Sequence, residues 1–180
     1  MARITDTVKH LLIINGIAFL ATSLYGNQLY NLFALHYYNN PLFQIWQPLT
    51  HMFLHGNFSH ILFNMIGLWM FGSPLEELWG KNKFIFFYVS AGLGAAALQM
   101  FYSVYDFNPI FEILINNGFN SEEIINTIKN RRYNTNWLNY ISEKQLSHLN
   151  ESFNLSMVGA SGALYGILVA FAFLFPNISL

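Results

Sequence analysis

Two side chains four residues apart and one serine carry the chemistry that this sequence offers. His60 and Asn64 project from one face of any helix that holds both. Each can donate a hydrogen bond. Two donors aimed inward can stabilise a developing oxyanion; the same pair can equally act as hydrogen-bonding glue between helices. Ser161 lies in Gly159-Ala160-Ser161-Gly162, which opens an apolar run reaching Phe175. A serine there is either an N-cap followed by the packing glycines Gly162 and Gly166, or a nucleophile for acyl transfer. A nucleophile needs a base. His60 is one choice, but it would leave Asn64 as the only side-chain donor. His148 falls in a remote polar stretch, and His10 lies at the opposite end of the first apolar segment. No lysine sits inside an apolar run, so a Ser-Lys pair has no support. On these residues alone the cap reading of Ser161 is favoured.

His51 and His55 are also four apart, and with His60 they suggest a metal site. No carboxylate or cysteine lies near them, and they straddle a loop-helix junction. No metal or other cofactor is therefore expected.

The elements that hold these residues are apolar. Of 180 residues, 54% are hydrophobic, 18% aromatic and only 9% charged. A soluble domain carries about a quarter charged residues, so the expected class is an all-α membrane protein. The net charge of −1 provides no basic patch for nucleic acid. With no cysteine, disulfides, thiolate nucleophiles and CxxC metal knuckles are excluded.

Four spans are expected, each near the roughly 20 apolar residues that cross a bilayer. They are Val8 to Tyr25, Phe58 to Leu78, Phe84 to Tyr105 and the shorter Gly159 to Phe175. The first could also be read as a cleaved signal peptide, with Arg3 and Lys9 ahead of it and small residues at Ala21-Thr22-Ser23; the spans that follow favour a retained helix. Between the first two, Gly26 to Gly56 holds no Asp, Glu, Lys or Arg, is rich in aromatics and is broken by Pro41 and Pro48. Such a stretch suits the membrane interface, and its irregular backbone must find partners within the protein. Residues 106–157 differ in kind. They are polar, hold half of the chain's Lys and Arg, and suggest helices over Ser121 to Arg132 and Ser142 to Phe153. They are expected to form an extramembrane insertion. Arg3, Lys9, Lys81 and Lys83 share one side, which the positive-inside rule assigns to the cytoplasm. The aromatic loop and the insertion then face outward, with Ser161 near the outer end of the fourth helix.

Trp46-Gln47, His51, His55, His60 to Asn64, Gly72 to Gly80 around Glu76, and Gly159-Ala-Ser-Gly162, in this order on successive spans, resemble the rhomboid intramembrane serine proteases. The resemblance runs from the first span to Phe175 and leaves out the insertion. It implies a polytopic helical bundle with four of six transmembrane helices present and residues 1–180 forming one incomplete domain. It also implies Ser161 as nucleophile, and His60 and Asn64 as the oxyanion pair together with the Ser161 N–H. Tyr165 matches the aromatic that packs on the catalytic histidine, and Gly159 and Gly162 belong to the serine motif. Glu76 matches an acid that ties down the loop region. The family's Trp-Arg appears here as Trp46-Gln47, which loses a charged anchor.

The family's general-base histidine sits on a sixth helix, and no residue here matches it. The implied activity is endopeptidase cleavage of transmembrane protein substrates by a Ser-His dyad. The base would lie outside this chain, and the 180 residues alone would be inactive. The alternative is a non-catalytic rhomboid-like protein that binds membrane clients; a histidine-lined transporter of metal or protons is a third class.

Overall fold

The computed structural model describes Arg3–Asn177. Helix covers 75% of the chain, and no β-strand is present among the described residues. The fold divides into two compact units, the first made of residues up to Leu35, Ile45–Ala97 and the residues from Val158 onward, the second of His36–Gln44 and Leu98–Met157.

The first unit begins with α1, Asp6–Tyr25, which ends at Gly26 with φ of +55°. Then come α2, Asn27–Phe33, and α3, Gln47–Thr50, which runs directly into a 3₁₀ turn at His51–Phe53. The charge-free loop is thus partly helical, and its irregular parts find partners. Trp46 Nε1 donates to the Leu32 carbonyl at 2.9 Å, Thr50 Oγ1 to the Phe33 carbonyl at 2.8 Å, and the Tyr30 hydroxyl to the His55 carbonyl at 2.6 Å. Gln47 is fully buried and donates to the Asn31 carbonyl at 3.2 Å. A neutral amide closes the loop where a charged anchor is missing, at no cost of burying an ion.

The segment expected as a single second span is helical throughout but in three pieces: α4, Phe58–Gly67; a π-turn, Leu68–Gly72; and α5, Ser73–Trp79. A π-turn inserts a residue into the helix and turns the faces on either side relative to each other. α5 stops at Gly80, φ +77°. α6, Lys81–Asn116, enters the first unit's core with Phe84 and Tyr88. After the second unit's residues the chain returns as α9, Ser161–Leu174. Val8, Met52, Leu68, Leu75, Ala163 and Ile167 complete this core.

Among the described residues, two helices are long and apolar enough to cross a membrane, α1 and α6; α9 is apolar but has only 14 residues. By length and composition these helices show two spans, and the expected bundle of four goes beyond them.

The second unit has its own core, formed by Tyr37, Phe107, Leu114, Ile124, Ile128, Trp137, Leu149 and Phe153. It contains the later part of α6; α7, Ser121–Lys129; a 3₁₀ turn, Thr135–Asn139; and α8, Glu143–Asn154. The expected start of the insertion at Asp106 falls inside α6, which continues unbroken to Asn116. The physical reason is that Phe107, Ile110 and Leu114, at helical spacing, bury into this core. That burial outweighs the backbone bond lost at Pro109. α6 ends in a Schellman arrangement, with Gly118 at φ +88° and the Phe119 N–H bonded to the Leu114 carbonyl. Asn120 caps α7, one residue before the expected start, and Ser142 with Gln145 forms a capping box on α8.

Candidate active site

Asn57 starts the site. Its side chain accepts the His60 N–H at 2.8 Å and so caps α4. This fixes the first turn and sets His60 and Asn64 on one face. The Gly56 N–H points at His60 Nδ1 at 3.4 Å. With Nδ1 accepting, the proton of a neutral ring belongs on Nε2, which makes Nε2 a donor. Asn64 is buried, and its Nδ2 has no hydrogen-bond partner among the described residues. An unpaired buried amide costs free energy, and functional sites are where such groups persist.

Both side chains face Gly159. The Gly159 backbone has φ of +114°, a conformation that L side chains avoid. A Cβ there would stand 2.6 Å from His60 Nε2 and 3.6 Å from Asn64 Nδ2. Glycine is needed twice over, for the dihedral and for the space. The Gly159 N–H donates to the His51 carbonyl at 2.9 Å, which pins the turn before Ser161 to the 3₁₀ segment. His51 therefore contributes its backbone.

Ser161 is the first residue of α9. The N-cap position belongs to Ala160, and no side chain caps this helix. The serine hydroxyl makes no hydrogen bond to another described residue. The cap reading, favoured from residue types, fails here. The first N–H groups of a helix lack intrahelical acceptors, so the Ser161 N–H is an available donor at the positive end of α9. Ser161 and Asn64 line a common cavity of about 220 Å³ with Phe63, Leu164, Tyr165 and Leu168.

Small residues bring α9 close enough for this. A Cβ on Gly162 would lie 2.4 Å from Ala95 Cβ, and one on Gly166 would lie 2.7 Å from Ala91 Cβ. Both pairs are four apart, the small-xxx-small pattern of closely packed membrane helices. On the other side, Gly67 of α4 admits the Leu164 side chain.

His55 is fully buried, and its ring stands edge-on to His60 with centroids 5.0 Å apart. Burial first, then repulsion from His60, pulls its pKa down to about 4, only partly offset by the Phe53 backbone. His51 is shifted down too, chiefly by burial, with its Nδ1–H donating to the Gln47 carbonyl at 3.1 Å. Both shifts favour the neutral ring. No three His, Cys, Asp or Glu groups among the described residues come together as a metal site.

The remaining residues lie elsewhere. Glu76 accepts hydrogen bonds from the Thr5 hydroxyl and from the Thr7 and Val8 N–H groups, the latter two at 3.0 Å. It ties down the start of α1, where a carboxylate completes the helix N-terminus, instead of the aromatic loop. His148 Nδ1 lies 3.5 Å from Asp106 in the second unit. His10 bonds the Asp6 carbonyl. Residue-type reasoning passed over Asn57, whose place before an apolar run is a helix-start signal. It also passed over the His51 carbonyl; a backbone carbonyl leaves no mark in a sequence.

The Rhomboid domain family model matches residues 42–111. Over these residues the chain is similar to the rhomboid family. The matched stretch contains His51, His55, His60, Asn64 and Glu76, while Gly159 to Gly162 lie beyond it. No curated protein is a significant match to the chain. Rhomboid proteins are integral to the membrane, and α1 and α6 are apolar helices of spanning length.

Proposed function

We propose that this chain is a rhomboid and carries the nucleophile and oxyanion site of an intramembrane serine endopeptidase acting on transmembrane protein substrates. The observation that supports it best is the seating of His60 and Asn64 against Gly159, two residues before Ser161. Ser161 Oγ attacks the scissile carbonyl. As that oxygen gains charge, it accepts hydrogen bonds from Asn64 Nδ2, His60 Nε2 and the Ser161 N–H. Such donors act strongly because they are already in place and shielded from water; losing one costs roughly 100- to 1,000-fold in rate.

The serine proton needs an acceptor. Among the described residues, no His, Lys, Asp or Glu lines the cavity, and the Gly56 N–H is directed at His60 Nδ1. The proposed base is a histidine from outside these 180 residues, as the family resemblance implies. That imidazole takes the Ser161 proton and returns it to the leaving amine.

The proposed topology has four spans, with the N-terminus in the cytoplasm and Ser161 near the outer face. The continuous helical path through α4, the π-turn and α5 supports the second span: ten, five and seven residues together reach about 33 Å. The side bearing Arg3, Lys9, Lys81 and Lys83 supports the orientation.

The absence of a titratable base from the cavity lining favours a second reading, a non-catalytic rhomboid-like protein that binds membrane clients. Fluorophosphonate labelling separates the two. In membranes holding the natural protein, an endopeptidase labels at Ser161 and loses the label in Ser161→Ala. Intact, folded protein that never labels leaves the client-binding reading. The purified 180-residue polypeptide is expected to label far more slowly than the natural protein.

A further inference from the structure

Two helix faces inside the second unit are polar where a core would be apolar. Gln99, Tyr102, Ser103 and Asp106 stand at i, i+3, i+4 and i+7 of α6, which is one face of the helix. His148, Glu151, Ser152 and Leu155 repeat that spacing along α8 and its C-cap. All eight line one cavity of about 100 Å³. Every one of them belongs to the second unit, so the cavity is complete within it. Facing polar stripes normally serve as hydrogen-bonding glue, yet here the bonds are not made. Among the described residues the one polar contact across the two faces is His148 Nδ1 to Asp106 Oδ2, at 3.5 Å too long for a strong hydrogen bond. Ser103 accepts only from Gln99 of its own helix, also at 3.5 Å. Ser152 is only 6% exposed, and its hydroxyl bonds to no other described residue although it borders the cavity.

The charges say what is missing. Two carboxylates border the cavity, and no Lys or Arg does. The Asp106 side chain is only 17% exposed. Taking an ionised carboxylate that far from water is costly without a close cation. An imidazole at 3.5 Å is a loose partner, and the neighbouring Tyr102 offers only a neutral hydroxyl. Ser147 occupies one oxygen of Glu151, at 2.8 Å, and leaves the other. We infer that this cavity binds a primary ammonium group on a short apolar stem, the end of a lysine side chain or of an alkylamine. An ammonium presents three N–H donors around a point charge. It suits acceptors supplied by two elements, Asp106 and Ser103 from α6, Glu151 and Ser152 from α8; the planar fork of a guanidinium is matched to a single carboxylate. About 100 Å³ is the liquid volume of roughly three waters, room for an ammonium and its first methylenes. Leu155 borders the same space and gives the stem an apolar wall. This site is independent of the chemistry proposed at Ser161.

The chain has no cysteine, so a trifluoromethyl tag at Ser156→Cys, exposed and next to Leu155, reports on the cavity by fluorine NMR. The full chain in detergent micelles is titrated, at constant ionic strength, with n-butylammonium, n-butanol, n-butylguanidinium and the blocked peptide acetyl-Gly-Lys-Gly-amide. The expected result is a saturable shift with butylammonium and none with butanol. Asp106→Asn and Glu151→Gln should each weaken that binding about tenfold or more, since each removes a charged acceptor. Both keep the shape of the side chain, and Glu151 is exposed, so Glu151→Gln reads the site even where Asp106→Asn disturbs the fold. A peptide that binds like the amine assigns the site to a lysine of a polypeptide; a peptide that fails beside an amine that binds assigns it to a free amine. The ammonium site is overturned by any of three results: no saturable shift with butylammonium, butanol or butylguanidinium binding as well as butylammonium, or an affinity that Glu151→Gln leaves unchanged.

Discussion

The two units pack their interiors from the same kinds of side chain, yet α7 and α8 of the second present a different surface from the helices of the first. In the first, Ile17, Leu24, Phe63, Phe86 and Phe173 are each more than 60% exposed, while Asn15, Gln47, His55, Asn64 and Ser73 are buried. In the second, Phe107, Leu114, Ile124, Ile128, Trp137, Leu149 and Phe153 are buried, and α7 and α8 turn charged and amide side chains outward. α7 and α8 pack by the ordinary hydrophobic effect. In hydrocarbon that force does not act between helices, so close packing of small residues and internal polar contacts must replace it. Glycines pressed against Ala91, Ala95, Met52 and His60 are the result in the first unit.

The largest effect is expected in the second unit. Trp137→Ala removes a fully buried indole and should cost about 3–5 kcal/mol. Hydrogen exchange should show α7 and α8 losing protection while α4 and α9 keep theirs; equal loss in α4 and α9 would mean that the two regions do not differ in what holds them. Asn64→Ala should act in the opposite way. Rate falls roughly 100- to 1,000-fold, measured as cleavage or Ser161 labelling in the natural protein. Stability holds or rises, because an unpaired buried amide is removed. A large drop in melting temperature would make Asn64 structural glue.

A matched pair tests the surfaces. Ile17→Asp, at an exposed position in the middle of α1, should cost about 3 kcal/mol in membrane insertion. Tyr133→Asp, at an exposed position in the second unit, should change stability by no more than about 0.5 kcal/mol. Similar costs for both would erase the contrast. Gly162→Ala should destabilise by about 1–3 kcal/mol through overpacking against Ala95. Ala95→Gly in the same chain should restore much of that in thermal unfolding, since it removes the atom that clashes.

A further contrast is one of pH. His55 has its folded pKa lowered to about 4, against a usual 6.5. The unfolded chain therefore binds more protons between these values, and stability rises with pH there. The contribution is complete above about pH 6.5 and fades by about 1.4 kcal/mol per unit as pH falls toward 4. His51 acts in the same direction. Thermal unfolding of the first unit in detergent should show this slope, and His55→Leu should flatten it. A slope unchanged in that variant would assign the loss to other groups.

What the sequence determined by itself was local. Apolar runs and their period announced helices at Val8 to Tyr25 and Phe58 to Leu78 and a polar helical stretch beyond residue 106, because helix formation answers to neighbours within about four residues. The four-residue spacing put His60 and Asn64 on one face for the same reason. The capping box at Ser142 and Gln145 could be read in the same way. Tertiary structure decided the rest. The π-turn at Leu68–Gly72, the run of α6 past Asp106 and the attachment of Glu76 to the start of α1 each depend on contacts far along the chain. The same holds for the site. Gly159 meets His60 from 99 residues away and hangs on a backbone carbonyl that His51 shares in kind with every other residue. Packing alone moved Ser161 from the cap position to the wall of a cavity. Residue type names the groups able to do chemistry; only close-packed helices bring Asn64 and Ser161 to the wall of one cavity.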